Sequence, residues 1–484
     1  MRDNIKQALK VALSRGYQLS PDAVDYLREV EDPLSLISHI LTRAIPNDRY
    51  VIDRHMIERY LESQANKAQV GLASASEYDV DIKVLESPMT LNVDPSFDGF
   101  LRYFRDRYVL LSSLLRSRLD MHDAVPIAEA KKTSGEVCVI GLVYDKRCVT
   151  SSTILSIEDP SGNIDVLVPE DPKVKAQVND IVLDICIGVR GVMRNGKLIA
   201  EEIILPEVVP PPPPREAPPI SMLLLSDLHV GSLLFGRQRF LRLMRWLRGE
   251  EGNRRMKELA LSVKYVIIAG DLIDGVGIYP GQEKELAIKD LSGQYKAVAE
   301  YLAQFPEHIR IIVIPGNHDA TSPGLPYVPF FKEYAYPIYE LDNVIVLPDP
   351  VLVSLHGVKV LISHGRSLDD LLSALPGATF SPEGVIKAMR GLLRFRHLAP
   401  IYGSRTLISP MGYDPLVIRN VPHVLHMGHV HICAVQRYKG VILANSGTWQ
   451  EQTEYQLSMG ISPTPYIVPL IRLDTLQVIM LDFH

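Results

Sequence analysis

A chain of 484 residues is too long for one hydrophobic core and should divide into two or three domains. With 46% hydrophobic and 22% charged residues it has an ordinary globular composition, and its net charge of −6 excludes a broadly basic nucleic-acid coat, so any such surface must be a local patch. Four cysteines (Cys138, Cys148, Cys186, Cys433) without C-x-x-C spacing argue against a disulfide or zinc framework. No run approaches the roughly 18 apolar residues of a spanning helix, and Met1-Arg-Asp-Asn-Ile-Lys does not open an apolar leader, so a cytoplasmic protein without membrane contact is expected.

In chain order, residues 1–65 predict a small helical domain. Ile5, Ala8, Leu9, Ala12 and Leu13 fall on one helical face, and Ser20-Pro21, Asp32-Pro33 and Asp53-Arg54 have the form of N-caps opening further short helices. No ligand cluster lies there, so docking or packing is its expected role. Residues 66–95, polar and Ala/Ser-bearing at their start, are expected to be a linker. Residues 96–208 predict a helix and then a barrel. Phe97–Asp120 has helical periodicity, and the arginines between its apolar positions read as a solvated face. From Gly135 to Pro206 the period falls to two, giving about five short strands with Gly-rich turns, the pattern of a small closed barrel of the OB type. OB barrels often stack bases on aromatics, but Tyr144 is the only aromatic in this one, which favours a packing role. Residues 209–219, with the run Pro210–Pro214, predict a polyproline spacer.

Residues 220–484 alternate strand and helix, the order of an α/β domain. Five of the apolar runs end in a polar motif: Leu223-Leu-Leu-Ser-Asp227-Leu-His229, Val266-Ile-Ile-Ala-Gly270-Asp271, Ile311-Ile-Val-Ile-Pro-Gly316-Asn317-His318-Asp319, Val360-Leu-Ile-Ser-His364-Gly365 and Val424-Leu-His-Met-Gly428-His429-Val430-His431. In open α/β sheets ligands gather at the carboxyl ends of strands. A lone histidine after a buried strand is usually a satisfied core or surface residue, and Gly-Asp is usually a turn. Five such ends in one chain outweigh those readings. His356, His397, His423 and His426 lack the context and are expected to be structural, with His426 the closest decoy.

Carboxylate, amide and imidazole donors without thiolate suit Mn²⁺, Fe²⁺ or Zn²⁺ in a reactive site, and Mg²⁺ could also be accepted. Two divalent ions, Mn²⁺ foremost, are therefore the expected cofactors, about 3.5 to 4 Å apart. Asp271 is expected to bridge them. One ion would take Asp227, His229 and His431, the other Asn317, His364 and His429. His318 is expected to meet the phosphoryl group as the acid for the leaving oxygen, with Asp274 hydrogen-bonding its ring. Asp319 is expected to cap the following loop. Lys387, Arg390, Arg394 and Arg396 are four cations on a helix with one buried face, and are expected to steer DNA phosphates toward the site; the alternative is a packed helix whose basic face is merely solvated.

Asp227-x-His229, Gly270-Asp271, Gly316-Asn317-His318-Asp319, His364 and Gly428-His429-x-His431 together resemble the signature of the calcineurin-like metallophosphoesterases, over residues 220–484. That resemblance implies a two-sheet α/β sandwich with a dinuclear site at its rim, within a multidomain α/β chain. The order of helical domain, OB-type barrel and phosphoesterase is similar to that of the small-subunit family of archaeal family-D DNA polymerases. Arg394-Phe-Arg-His-Leu-Ala-Pro400 and the Arg/Tyr-rich helix before the barrel are similar to segments of that group and of the eukaryotic replicative-polymerase B subunits, which have lost ligands. The resemblance implies a 3′–5′ exonuclease that proofreads for a separate large polymerising subunit, acting on single-stranded or mismatched DNA 3′ ends. Three other functions compete with it: a non-catalytic scaffold, a phosphatase or cyclic-nucleotide phosphodiesterase, and a repair nuclease on the same core. The intact His318 and the full ligand set disfavour the scaffold, and the barrel and the segment from Arg366 to Tyr413 favour nucleic acid.

Overall fold

The computed structural model describes residues 2–14, 17–28, 30, 33–43, 51–54, 56–58, 74–88, 93–149, 152–214 and 216–484. The chain forms two compact units, Met1–Leu72 and Ala73–His484. Among the described residues no helix is long and apolar enough to cross a membrane.

In the first unit, helices Arg2–Ser14, Pro21–Leu27 and Pro33–Arg43 surround a core of Ala8, Ala12, Ala23, Leu27, Ile37, Ile40, Ile52 and Ile57. Leu13, expected on the buried face, is 61% exposed. Ser20 precedes Pro21 in extended backbone, but its hydroxyl donates to the Ile52 carbonyl and does not cap the helix. The Asp53 carboxylate accepts from the Met56 amide, as an N-cap does. Asp32 lies outside the described residues.

In the second unit, Ser96 caps the helix Phe97–Arg116 by accepting from the Gly99 amide. Five strands follow, Gly135–Val149, Ser152–Asp159, Gly162–Val168, Cys186–Arg194 and Lys197–Ile204. They close into a barrel because the first pairs with the fourth as well as the second, and the third pairs with the fifth in parallel. Inward residues alternate along each strand, as in Leu155 and Ile157 or Ile164, Val166 and Val168.

Beyond the barrel stand two six-stranded sheets. The first runs Val344–Val346, Arg310–Ile314, Val263–Ala269, Ser221–Leu225, Ile467–Arg472, Val478–Asp482. The second runs Cys433–Tyr438, Val441–Ser446, Val424–Met427, Val358–Ile362, Val351–Leu355, Ile82–Glu86. Alternate residues of both meet in one core: Met222, Leu224, Tyr265 and Ile267 from the first, Val353, Val360, Ile362 and Ile442 from the second. The other face of the second sheet, through Leu425, Met427 and Leu443, packs on helix Pro382–Phe395, which in turn shares a core with the barrel.

Three expectations are corrected here. The stretch 66–95 is not wholly a linker, since Ile82–Glu86 pairs antiparallel with Val351–Leu355 as the edge of the second sheet; residues 66–73 and 89–92 lie outside the described residues. The arginines of Phe97–Arg116 do not all form a solvated face, because Arg107 is fully buried. The polyproline spacer is not a free strap, because its Pro212 carbonyl accepts from His423 Nε2 at the second sheet.

Candidate metal centre

Four strands of the first sheet and three of the second run parallel side by side, so their carboxyl ends reach one rim. From the first sheet the rim receives Asp227 and His229, Asp271, and Asn317 and His318. From the second it receives His364, and His429 and His431. Three groups of side chains converge with ligand atoms within 4.8 Å of one another: Asp227, His229 and His431; His229, Asp271 and His318; Asp271, His364 and His429.

The backbone at the rim is bent to aim these side chains. Asp227, His229, Asp271, His429 and His431 all have φ between 51° and 71°, a region costing non-glycine residues on the order of 1–3 kcal/mol each. Cross-strand bonds hold that geometry: the Asp227 amide donates to the Gly270 carbonyl and the His229 amide to the Asp271 carbonyl. Two glycines of the motifs, Gly316 and Gly428, are needed because carboxylates lie on their α-carbons. A Cβ on Gly316 would come within 2.2 Å of Asp271 Oδ1, and one on Gly428 within 2.4 Å of Asp227 Oδ2.

Asp271 occupies the middle of the site. Its Oδ2 lies 3.3 Å from His364 Nε2, 3.9 Å from His229 Nε2 and 4.0 Å from His318 Nε2, while its Oδ1 accepts from the His318 amide. On one side, His229 Nε2 and His431 Nε2 are 3.0 Å apart, and His431 Nε2 is 3.5 Å from Asp227 Oδ1. On the other, His364 Nε2 is 3.1 Å from Asn317 Oδ1. Burial works against charge on Asp271, yet the surrounding imidazoles of His364, His318 and His229 hold it well below the usual carboxylate range. Burial likewise disfavours a charged His364, but Asp271 and Asp227 push its pKa up to about 10. The two carboxylates therefore make a field that asks for cations, and imidazole nitrogens and amide oxygen face it as donors. The donor set fits divalent metal ions.

The far ring nitrogens are fixed by further partners, as metal-binding imidazoles require. His229 Nδ1 lies 3.1 Å from Asp274 Oδ1, and His364 Nδ1 donates to the Ala269 carbonyl at 2.8 Å. His431 Nδ1 is 2.8 Å from the Gln456 amide, and His429 Nε2 is 3.2 Å from both Asp369 Oδ2 and Arg366 Nη1. Gln282 and Gln450 donate to the Asp274 carboxylate and complete its shell. Asp369, Arg366, Gln282, Gln450 and Gln456 were not anticipated. Only Asp369, one turn past His364 at the start of helix Leu368–Ala374, carried a usable signal.

Several expected roles change. Asp274 does not hydrogen-bond the His318 ring through its carboxylate, which is engaged by His229, Gln282 and Gln450; its backbone carbonyl accepts from His318 Nδ1 at 2.8 Å instead. Asp319 does not cap the loop that follows it. It accepts from the amides of Gly316, Leu272 and Ile273, bracing the Asp271 turn, and burial beside Asp271 raises its pKa to about 7. The basic helix is not a free phosphate stripe. Lys387 and Arg394 pair with Asp180 of the barrel at 3.3 and 2.7 Å. Arg396 is buried and donates to the carbonyls of Ile418, Glu207 and Arg419. Of the four cations, Arg390 alone is half-exposed with no close acidic partner shown among the described residues. The four histidines expected to be structural have other partners: Tyr265 for His356, Asp414 for His397, Pro212 for His423 and Ser446 for His426.

Residues 222–432 match the family model for the B subunit of DNA polymerase alpha/epsilon. The chain is 37% identical over 472 residues to the DNA polymerase II small subunit of Methanothermobacter thermautotrophicus, covering 96% of this chain and 97% of that one. It is 36% identical to the small subunit of Archaeoglobus fulgidus, over 98% of this chain and 97% of the relative. The Pyrococcus furiosus small subunit is 40% identical over 80% of this chain, but the chain spans only 64% of that protein's length. Among solved structures, an archaeal phosphodiesterase overlaps 54% of this chain and 99% of its own at 14% identity and a TM-score of 0.28, too slight a likeness to build on.

Proposed function

The chain belongs to the family of DNA polymerase II small subunits, and on that premise we propose that residues 220–484 carry a metal-dependent 3′–5′ exonuclease serving a large polymerising subunit. The observation that carries this reading is Asp271, a buried carboxylate with three imidazole Nε2 atoms from both sheets within 4.0 Å of one oxygen. A scaffold has no use for two buried carboxylates ringed by imidazoles on strained backbone, since isolated buried charge is costly.

Asp227, His229 and His431 would hold one divalent ion, Asn317, His364 and His429 a second, and Asp271 both. When bound, such a pair supplies a deprotonated water at neutral pH and offsets charge on the phosphoryl oxygens. Mn²⁺ is our first choice. Asp274, the Ala269 carbonyl and Asp369 fix the imidazoles in place. His318 is the most open histidine of the group, with its side chain 17% exposed. Its Nδ1 donates to the Asp274 carbonyl, which leaves Nε2 to carry the proton destined for the departing 3′ oxygen. Its substrates would be single-stranded or mismatched DNA 3′ ends.

The test is purified chain with Mn²⁺ on labelled single-stranded DNA and on a primer with a mismatched 3′ end, with and without the large subunit. Trimming from the 3′ end is expected, and Asp271→Ala should abolish it. The double variant Asp271→Ala, His318→Ala should still co-purify with the large subunit and support synthesis. A chain that assembles, holds metal and trims neither substrate is a scaffold.

A further inference from the structure

Two tyrosines stand beside the centre without a part in it. Tyr279 and Tyr455 lie nearly parallel, their ring centroids 6.3 Å apart and their planes 25° from each other. Tyr455 is 55% exposed, and Val276, Ile278, Leu457 and Met459, on the same two stretches of chain, are all more than 40% exposed. Five large apolar side chains on two short segments are thus exposed, and the partly buried Tyr279 joins the segments through its ring contact with Tyr455; isolated exposed side chains would need no explanation.

Both segments hang on the same side of the metal centre. Tyr455 directly precedes Gln456, whose amide meets His431 Nδ1. Tyr279 belongs to the loop closed by Gln282, which accepts from the Ile278 amide and donates to Asp274, the partner of His229. Ile278 lies on Gly275, where a Cβ would sit 2.8 Å from its Cγ1 and 2.7 Å from the His318 carbonyl. The Tyr279 hydroxyl donates to Glu285 at 2.6 Å, which fixes the ring. Each ring is therefore tied through one glutamine to an imidazole of the Asp227, His229 and His431 group.

We propose that Tyr279 and Tyr455 form a stacking platform for the base of the nucleotide being released from a nucleic-acid strand. This rests on the phosphodiesterase reading above and adds how the strand end is held. Stacking on an aromatic face is tolerant of sequence, which suits an enzyme that must trim any base. Without the platform, the backbone alone would position the terminal residue.

The experiment uses the full chain and an oligodeoxynucleotide ending in 3′-terminal 2-aminopurine. In excess chelator, with no turnover, binding to the unaltered protein should quench the fluorescent base. Tyr455→Ala or Tyr279→Ala should relieve the quench and weaken binding by about 5- to 100-fold, while Tyr455→Trp restores both. With Mn²⁺, Tyr455→Ala should raise KM on a base-bearing 3′ end and not on the same strand ending in an abasic residue. No hydrolysis of either strand by unaltered protein overturns the phosphodiesterase reading itself. Hydrolysis with the same KM for base-bearing and abasic ends in both proteins overturns the platform alone. A Tyr455→Ala protein that binds the strand normally but releases the large subunit makes the pair a protein contact, and also overturns it.

Discussion

Arg107 and Asp414 form an ion pair 307 positions apart in sequence, with Nε 2.8 Å from Oδ2 and neither side chain exposed to solvent. The same Asp414 oxygen lies 2.8 Å from His397 Nε2, and Arg107 also donates to the Pro400 carbonyl. Burial would raise the Asp414 pKa, but His397 and Arg107 hold it far below the usual carboxylate range. The pair ties the helix before the barrel to the segment that follows the basic helix. Arg107→Met should leave a buried carboxylate unpaired and cost about 3–5 kcal/mol near pH 8. Near pH 5.5 the loss should shrink, because His397, freed of the neighbouring guanidinium, can take a proton and replace the lost charge. Urea unfolding at both pH values measures this, and a loss below about 1 kcal/mol at pH 8 would show that the pair is not what joins the two elements.

Asp271→Ala should release metal from both positions, since among the described residues Asp271 is the only carboxylate within reach of both imidazole groups. Asp227→Ala or His431→Ala should empty mainly one. Metal content by mass spectrometry after gel filtration distinguishes these. Full retention of one ion in Asp271→Ala removes it from the shared position.

Asp274 and His318 separate orientation of a ligand from proton delivery. Because the Asp274 carboxylate holds His229, Asp274→Asn should weaken metal binding by about 10- to 100-fold. His318→Ala should keep its metal and lose about 10²- to 10⁴-fold in turnover. Metal titrations and single-turnover rates at saturating Mn²⁺ separate the two. An Asp274→Asn enzyme with unchanged metal affinity and reduced turnover would return Asp274 to the role of acid's partner.

The strand ends were legible because two signals coincide there, an apolar run of strand length and a polar motif with glycine where a carboxylate must lie on the α-carbon. Long-range partners left no such trace. Arg107 has the same helical spacing as its solvated neighbours, and only the fold brings Asp414 to it. Ile82–Glu86 was hidden because an edge strand needs one buried flank, and its Val84 and Leu85 remain 48% and 44% exposed. The basic helix showed its charge but not the acids of the barrel that answer it. For Asp274 the sequence placed the residue correctly near the site, but not which of its oxygens faces which ring.

His426 should make the fold sensitive to acid. Its Nε2 lies 3.0 Å from Ser446 Oγ, which itself donates to Ser226, so the ring donates from Nε2 and leaves Nδ1 buried without a partner among the described residues. Burial pushes its pKa down to about 3. In the unfolded chain the ring binds a proton near pH 6.5. The folded state is therefore disfavoured progressively as the pH falls from about 6.5 toward 3, and keeps the full contribution above 6.5. His426→Gln should flatten the fall of Tm between pH 6.5 and 4, measured in excess chelator so that metal release does not contribute. Parallel curves for the two proteins would mean that the ring stays accessible to protons when folded.

The helix Pro382–Phe395 gives the last prediction, in which stability and DNA binding part company. Arg394 and Lys387 meet Asp180 with all three side chains about a quarter exposed, and Arg394 also lies 3.9 Å from Glu207. Solvent screens such contacts, so each should contribute no more than about 1 kcal/mol. Their use is geometric: they hold the barrel against the helix that packs on the second sheet. Arg394→Ala should lower the unfolding midpoint modestly, and Asp180→Ala should do the same, with a double variant losing less than the sum because the two share one interaction. Neither should alter how DNA binding depends on salt, since a guanidinium already paired with a carboxylate releases no counterion from DNA. Arg390→Ala, removing the one cation of the four with no acidic partner shown among the described residues, should flatten that dependence by about one charge. A slope that drops on Arg394→Ala, with Asp180→Ala steepening it, would mean that DNA displaces the barrel carboxylate and that the helix is a phosphate-binding element after all.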